Sequence, residues 1–551
     1  MGWITSCKDL LYVEPQEVVS DKDMYRNIND ADAAVIGIYG KFLKLAEPYI
    51  LLNGLRGDLM TTTQNADKYL KQLNEHDVST DNPYADPKPF YAVILNCNDV
   101  LYNLEEMLEE KRISQDDYTP IYADIAALRC WVYLQLGIQY GNIPYVTDPL
   151  SKEADLSNIR LQPKISFQQL LDRLIHTMES LPSLDPYPSN NRLLINIGGY
   201  EDDKFFINKR MLLGKLYLWK GFYHKAAMAF KRVMETGGAG DLYTYRITGA
   251  RKGDNNDLAV GYIRYHEVDK YSLIDNNNQG WRSIFARSVD DLFNQEWIWY
   301  LPFDNTFQNS EDPFIDLFSN RGGQYLVKPS QEAIHKWNNQ KQKNNFPYDA
   351  RGHFTWKLLD GKPVIVKYLY NYLNPTSFIP NDVFSKKGKW FLERAASLHL
   401  YYAEAANRDG QHALAYALVN QGLTTIPGGV TKEGFPYNFD ARKSYIPPIL
   451  GDWNLNAGIR GRANLYSDTI KSGMDSTIAI ENMIIKEAAL ELAYEGRRWS
   501  DLLRISLRRN DPSFMADKVF MMLSEENNPN AGTVKSKLMN RKNWYLPFGD
   551  K

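Results

Sequence analysis

Three glutamates at successive i, i+4 steps, Glu487, Glu491 and Glu495, place carboxylates on one stripe of a helix, with Arg497, Arg498 and Arg504 further on. Two carboxylates facing each other across a cleft would suffice for glycoside hydrolysis, so the stripe is the first place to look for catalysis. Followed by arginines at helical spacing, it reads instead as a salt-bridge ladder tying this helix to its neighbours. The eight histidines are scattered and no H-E-x-x-H occurs, which leaves no spacing for a metal site. Asp275-Asn276-Asn277-Asn278-Gln279-Gly280 begins like a calcium loop, but Ala286 stands where the bidentate Glu must be, and the segment reads as a turn. Walker, G-x-G-x-x-G and G-x-S-x-G motifs are absent. The expectation is a binding protein rather than an enzyme, with no cofactor and no metal. A glycoside hydrolase is the enzyme alternative, because a carboxylate pair leaves no sequence signature.

The three cysteines, Cys7, Cys97 and Cys130, make no C-x-x-C pair and no disulfide framework. Cys97 and Cys130 sit in apolar helical runs and read as small buried thiols. Cys7 follows Ile4-Thr5-Ser6, an aliphatic residue and two small ones, which is the form of a bacterial lipoprotein cleavage site. The charged and apolar signal segments are missing before it, so the native chain is expected to start further upstream than Met1. Elsewhere no apolar stretch of about 18 residues is evident, and no membrane-spanning helix is expected.

Lys and Arg number 64 against 67 Asp and Glu, so neither nucleic acid nor anionic lipid is attracted by net charge. With 36 Tyr, 12 Trp and 23 Phe, the chain has rings for its core and some to spare for recognition.

The elements that must position these groups are mainly helical. Residues 20–49 carry Val35, Ile38, Tyr39, Phe42 and Leu43 on one stripe, and a polar loop follows over 53–89. A helix over 90–111 precedes a second one through Ile121, Ile125, Leu128, Val132 and Leu136. The second ends at Tyr140-Gly141-Asn142-Ile143-Pro144, where Gly caps and Pro forbids continuation. Ser166 to Gln169 forms a capping box for a third helix. Leu213-Gly214-x-x-Tyr217 and Ala226-x-x-x-Phe230 fit the tetratricopeptide pattern, with Arg210 where Trp is usual: the glycine lets two helices approach and the rings fill the gap. A weaker pair covers 391–407 and 411–423. Between 237 and 388 the helical period fades into Gly, Asn and aromatic residues. There Glu296 to Phe303 reads as a buried strand, with Trp297 and Trp299 assigned to the core. A last helix is expected over 477–506. The chain therefore divides into an N-terminal linker (1–19), a helical-repeat part (20–236), an irregular insertion (237–388), and a second helical part with a closing segment (389–551). An intracellular tetratricopeptide adaptor is one alternative for such an array.

The stretch from Glu487 to Arg504 resembles the C-terminal signature of the SusD/RagB-like family, the outer-membrane nutrient-binding lipoproteins of Bacteroidetes. Further similarity lies, in order, at Cys7, Tyr140 to Pro144, Glu296-Trp297-Ile298-Trp299, Arg394 with Ala403-Glu404-Ala405, and Trp544-Tyr545-Leu546-Pro547-Phe548. The closing segment lacks the family's second Pro and its Asn-Pro-rich tail. The resemblance implies a mainly α, tetratricopeptide-like scaffold whose partly β insertion carries the ligand region, all one SusD-like unit. It also implies lipidation of Cys7, an outward-facing position on the outer membrane, and a SusC-like TonB-dependent transporter to which oligosaccharides, or in some members peptides, are delivered.

Sugar recognition needs an aromatic face for C–H groups, with carboxylate, amide or guanidinium groups for vicinal hydroxyls. By analogy with the family the site falls between the 53–89 loop and the insertion. In the loop, Asp58, Asn65 and Asp67 are polar candidates and Tyr84 is a ring. In the insertion, Trp281 is favoured with Arg282 and Asn276 to Gln279 beside it, because polar neighbours argue for exposure. Trp337, among His335, Asn338 and Asn339, is next.

Overall fold

The computed structural model describes residues 25–149, 158–197, 199–235, 281–290, 296–304, 311–342, 347–439, 458–463 and 465–548. Cys7 and the Asp275 to Gly280 turn lie outside the described residues, as do Asn276 to Gln279 beside Trp281.

Helix α1 (Ile28–Leu43) buries Val35, Ile38, Tyr39 and Phe42, and the Asn27 side chain caps it by accepting from Asn29 N. The expected single run through Tyr49 is broken at Lys44 and Leu45, after which α2 (Ala46–Gly54) begins. The expected polar loop is also partly structured: it holds a short strand, β1 (Met60–Thr62), and helix α3 (Lys68–Asn74). Asp67 caps α3, a local signal of the kind that starts helices.

Three helix pairs then follow one another through the molecule. Helices α4 (Lys88–Glu109) and α5 (Gln115–Tyr140) pack together, and α5 packs on α6 (Phe167–Glu179), which opens with the expected Ser166–Gln169 capping box. A Cβ on Gly137 of α5 would lie 2.5 Å from the Phe167 ring, so that contact requires glycine. In the second pair, α7 (Lys209–Lys220) and α8 (Tyr223–Glu235), a Cβ on Gly214 would lie 2.5 Å from the Phe230 ring. By length and composition α5 is apolar enough to cross a membrane, which corrects the expectation that no such stretch exists. Of that window 94% is buried inside the fold, the pattern of a core helix.

Strand β2 (Trp297–Phe303) is buried along its whole length, as its two apolar faces require. A third strand, β3 (Val327–Pro329), pairs with β1. Strand β4 (Gly388–Arg394) pairs antiparallel with β2, with Gly388 opposite Phe303 and Trp390 opposite Leu301. A helix expected from Phe391 therefore starts only at Ala395, because residues 388–394 are taken by the ladder to β2. Helix α9 (Ala395–Arg408) and α10 (His412–Val419) form the third pair, which meets the second where Tyr401 stacks on Phe230 at 6.0 Å.

The core sits where these parts converge. Phe42 of α1 stacks on Trp299 of β2 at 5.6 Å and on Trp390 of β4 at 5.2 Å, while Trp131 of α5 meets Trp299 edge-on at 5.7 Å. Such ring pairs add specific geometry to a large buried area.

The expected last helix is two: α11 (Ser476–Glu491) and α12 (Arg498–Arg509). Between them Tyr494 and Gly496 take φ values of 68° and 69°, and a Cβ on Gly496 would lie 2.1 Å from the Tyr49 ring. Two further helices follow, α13 (Ser513–Glu525) and α14 (Ala531–Leu538). The closing segment returns to α5, where Leu546 N donates to Gln139 O at 2.8 Å.

Candidate functional site

The β1–β3 pair, with Met60 opposite Pro329 and Thr62 opposite Val327, joins the 53–89 segment to the insertion. Past the strand, Thr63 N donates to Leu326 O at 2.9 Å and Asn65 Nδ2 to Gln324 O at 2.9 Å. Asp67 Oδ1 accepts from Tyr69 N and Leu70 N at 2.9 and 2.8 Å, leaving Oδ2 to receive the Tyr84 hydroxyl at 3.4 Å. Tyr69 Oη donates to Asp81 Oδ2 at 3.4 Å, and Asn82 fastens the segment by donating to Tyr69 O at 2.9 Å and accepting from Tyr84 N at 3.0 Å. The result is a surface with two half-buried rings, Tyr69 and Tyr84, and the exposed polar side chains of Asn65, Asp67, Asp81 and Gln324. Lys68 Nζ lies 4.6 Å over the Tyr69 ring.

Electrostatics here keeps the Tyr84 hydroxyl a neutral donor. Burial, then the charges of Asp67 and Glu47, push the Tyr84 hydroxyl up to about 12, so it stays a donor at neutral pH. Burial and the nearby Asp316 also raise the Glu47 carboxyl above its usual range. Such a surface can stack a sugar ring and pair its hydroxyls with carboxylate and amide groups that need no further activation. Sequence reasoning missed Tyr69, Asp81 and Gln324. Tyr69 stands two residues beyond a capping Asp, which was a usable signal, whereas Gln324 comes into range only through the strand pairing.

Asn65, Asp67 and Tyr84 are thus brought together, and the other candidates are not. Trp281 is 1% exposed, not an open platform. Arg394, Lys367 and Arg462 lie over its ring at 5.0, 5.7 and 5.7 Å. Among the described residues, its ring is covered by buried cations. Arg282 is buried as well, with its guanidinium 5.7 Å over the Tyr370 ring. Trp337 is 1% exposed and donates from Nε1 to Leu490 O at 3.2 Å, so helical spacing turned it inward while its polar neighbours faced out. Asp58 is buried and accepts from Arg498 Nη2 at 2.8 Å, with Lys336 at 3.7 Å. Burial alone would raise its carboxyl; the Arg498 charge and hydrogen bonds override that and hold it well below the usual range.

The glutamate stripe is interior ion pairing. Arg351 holds Asp349, Glu487 and Glu491 at 2.6, 2.7 and 2.7 Å, and Arg394 holds Glu296, Glu491 and Glu495 at 2.6, 2.9 and 2.9 Å. Against the cost of burial, Arg462, Arg394 and Arg351 bring the Glu491 carboxyl down to about 2. Glu495 lies beyond the end of α11, so the ladder is completed by the sharp turn at Tyr494 and Gly496 rather than by one helix face.

Comparison with known proteins fits this arrangement. Residues 451–550 match the model of the SusD family. A SusD-like protein of Formosa agariphila is 22% identical over 184 residues, 32% of this chain and 34% of its own length, so the alignment spans about a third of that relative. A SusD superfamily structure from Bacteroides vulgatus superposes with a TM-score of 0.61 at 15% identity, covering 96% of each chain. A laminarin-binding SusD-like protein does so with a TM-score of 0.58 at 16% identity, covering 95% of this chain and 97% of that one. The chain thus matches the SusD family over residues 451–550 and has the helical fold of SusD superfamily structures along nearly its whole length.

Proposed function

We propose that this protein is an outward-facing outer-membrane lipoprotein, anchored through Cys7, that captures oligosaccharides and passes them to a SusC-like TonB-dependent transporter. The observation that carries the capture step is the surface joining Tyr69, Tyr84, Asn65, Asp67 and Gln324, where half-buried rings stand beside side chains that pair with hydroxyls. The laminarin binding named for one structural relative supports a glycan as the ligand class. The anchor and the transporter are inferred from the likeness to the SusD family at residues 451–550.

Calorimetry with laminarin oligosaccharides and a panel of plant and host glycans tests the reading. Binding of at least one glycan is expected, weakened about fivefold or more by Tyr84→Ala if that ring stacks a sugar. Binding of oligopeptides and of no glycan would overturn it in favour of a peptide-capturing member. For the anchor, labelled fatty acid should enter the protein through Cys7 when the native upstream sequence is present.

A further inference from the structure

Among the described residues, Arg56, Arg351 and Arg394 are the arginines under 2% exposed. Arg351 and Arg394 each touch three carboxylates. Arg56 touches none among the described residues. Its guanidinium donates to Gln139 Oε1 at 2.6 Å and to Trp544 O, and lies 4.0 Å over the Trp499 ring. Burial brings its pKa down to about 9, and the groups that oppose this are tyrosine hydroxyls, Tyr140 and Tyr545. A buried charge is costly unless an opposite charge answers it.

Arg56 lines a cleft of about 680 Å³ between the 76–78 turn, the end of α5 and the closing segment. Lys164, Lys537, Arg541 and Lys542 also line it, and none of the lining residues carries a carboxylate. Of the nearby acidic groups, Asp77 pairs with the lining Lys537 at 2.8 Å and answers that cation, whereas Asp86 pairs with Arg160 at 3.4 Å and Glu75 accepts from Asn528 and Asn530 at 2.8 and 2.9 Å, away from Arg56, Arg541 and Lys542. His76 adds no charge of its own, since burial and the Arg56 charge bring it down to about 3 and keep it neutral. Arg541 and Lys542 are exposed at the mouth, and Tyr545 and Phe548 supply aromatic walls. The space exceeds that of a bare ion and falls in the range of small-ligand sites.

We propose that this cleft is a second binding site, separate from the Tyr84 surface, that takes a small anionic ligand: a sugar-sized molecule bearing a sulfate or phosphate monoester. The ester oxyanion meets the mouth cations Arg541 and Lys542 and answers the Arg56 charge, and its ring lies along Tyr545. Charge-assisted hydrogen bonds from guanidinium to such oxyanions are short and strong. The assignment stands on the cleft alone and does not depend on glycan capture elsewhere.

Calorimetry on the whole protein with glucose 6-sulfate, glucose 6-phosphate, glucose, inorganic sulfate and inorganic phosphate tests it. At least one monoester should bind where glucose does not, and the tighter of the two names the source of the oxyanion. The double change Arg541→Gln/Lys542→Gln, made at two exposed positions, should weaken that binding about tenfold or more. Trp499 fluorescence should respond to the bound ester and not to laminarin oligosaccharides. Failure of both monoesters to bind, unchanged affinity in the double variant, or binding only to vesicles of anionic phospholipid would overturn the proposal.

Discussion

Phe230 occupies the space that a side chain at Gly214 would need, its ring 2.5 Å from where a Cβ would stand. The same ring stacks on Tyr401 of α9, so one glycine controls the approach of three helices. Replacement by alanine, Gly214→Ala, should cost about 1–3 kcal/mol through overpacking. The midpoint of urea unfolding reads this, and a second change, Phe230→Leu, should recover part of the loss by returning the space.

Arg394 neutralises Glu296, Glu491 and Glu495 where no water reaches them. Its removal in Arg394→Met should destabilise by about 3–5 kcal/mol, because three carboxylates then share an interior short of positive charge. The Glu491 pKa is lowered in the fold, so the stabilisation it contributes is present above its unfolded value and is lost as pH falls through about 2. The deficit of the variant should therefore be largest above pH ~4.5 and shrink below it. An equal deficit at pH 3 and pH 8 would contradict this account.

Asp124 behaves oppositely. It is buried on α5, accepts from Tyr39 Oη at 3.0 Å, and is raised by desolvation to about 7. A carboxyl raised on folding disfavours the fold as pH climbs from its unfolded value through its folded one. The isostere Asp124→Asn should thus gain about 2–4 kcal/mol relative to the native protein between pH 5 and pH 8. Paired denaturation curves at the two pH values measure it.

Trp281 and Tyr84 should separate stability from recognition. Trp281→Ala removes a ring buried beneath three cations, and should cost about 3–5 kcal/mol of stability with glycan affinity unchanged in the fraction that folds. Tyr84→Ala should leave the unfolding midpoint within about 1 kcal/mol while weakening glycan capture. A stable Trp281→Ala protein with impaired capture would return that ring to the binding surface.

Asp67 has two roles that conservative changes can divide. Asp67→Asn keeps an N-cap of nearly equal strength for α3 and removes the charge beside Tyr84, so stability should hold while glycan affinity falls. Asp67→Ala should lose about 1 kcal/mol of stability as well, read by thermal unfolding.

Features that depend on near neighbours in the chain were legible without the fold. The Gly214, Tyr217 and Phe230 spacing, the Ser166–Gln169 capping box and the two-faced apolar run from Trp297 to Phe303 each state a local geometry, and each is present. The helix that ends at Gly141 is another. Where partners come from far along the chain, the local pattern misled. Residues 388–394 read as the start of a helix and are a strand because β2 claims their backbone. The run from 477 to 506 reads as one helix and breaks because Glu495 must turn to meet Arg394 and Lys367. Polar sequence neighbours pointed to exposure at Trp281 and Trp337, yet burial depends on which elements pack over a ring, not on what stands beside it. Local spacing was enough to specify a helical-repeat scaffold with aromatic residues in excess. Which rings face water, and that Arg56 meets no carboxylate among the described residues and lines a basic cleft, depended on the fold, because exposure and charge balance are sums over contacts made across hundreds of residues.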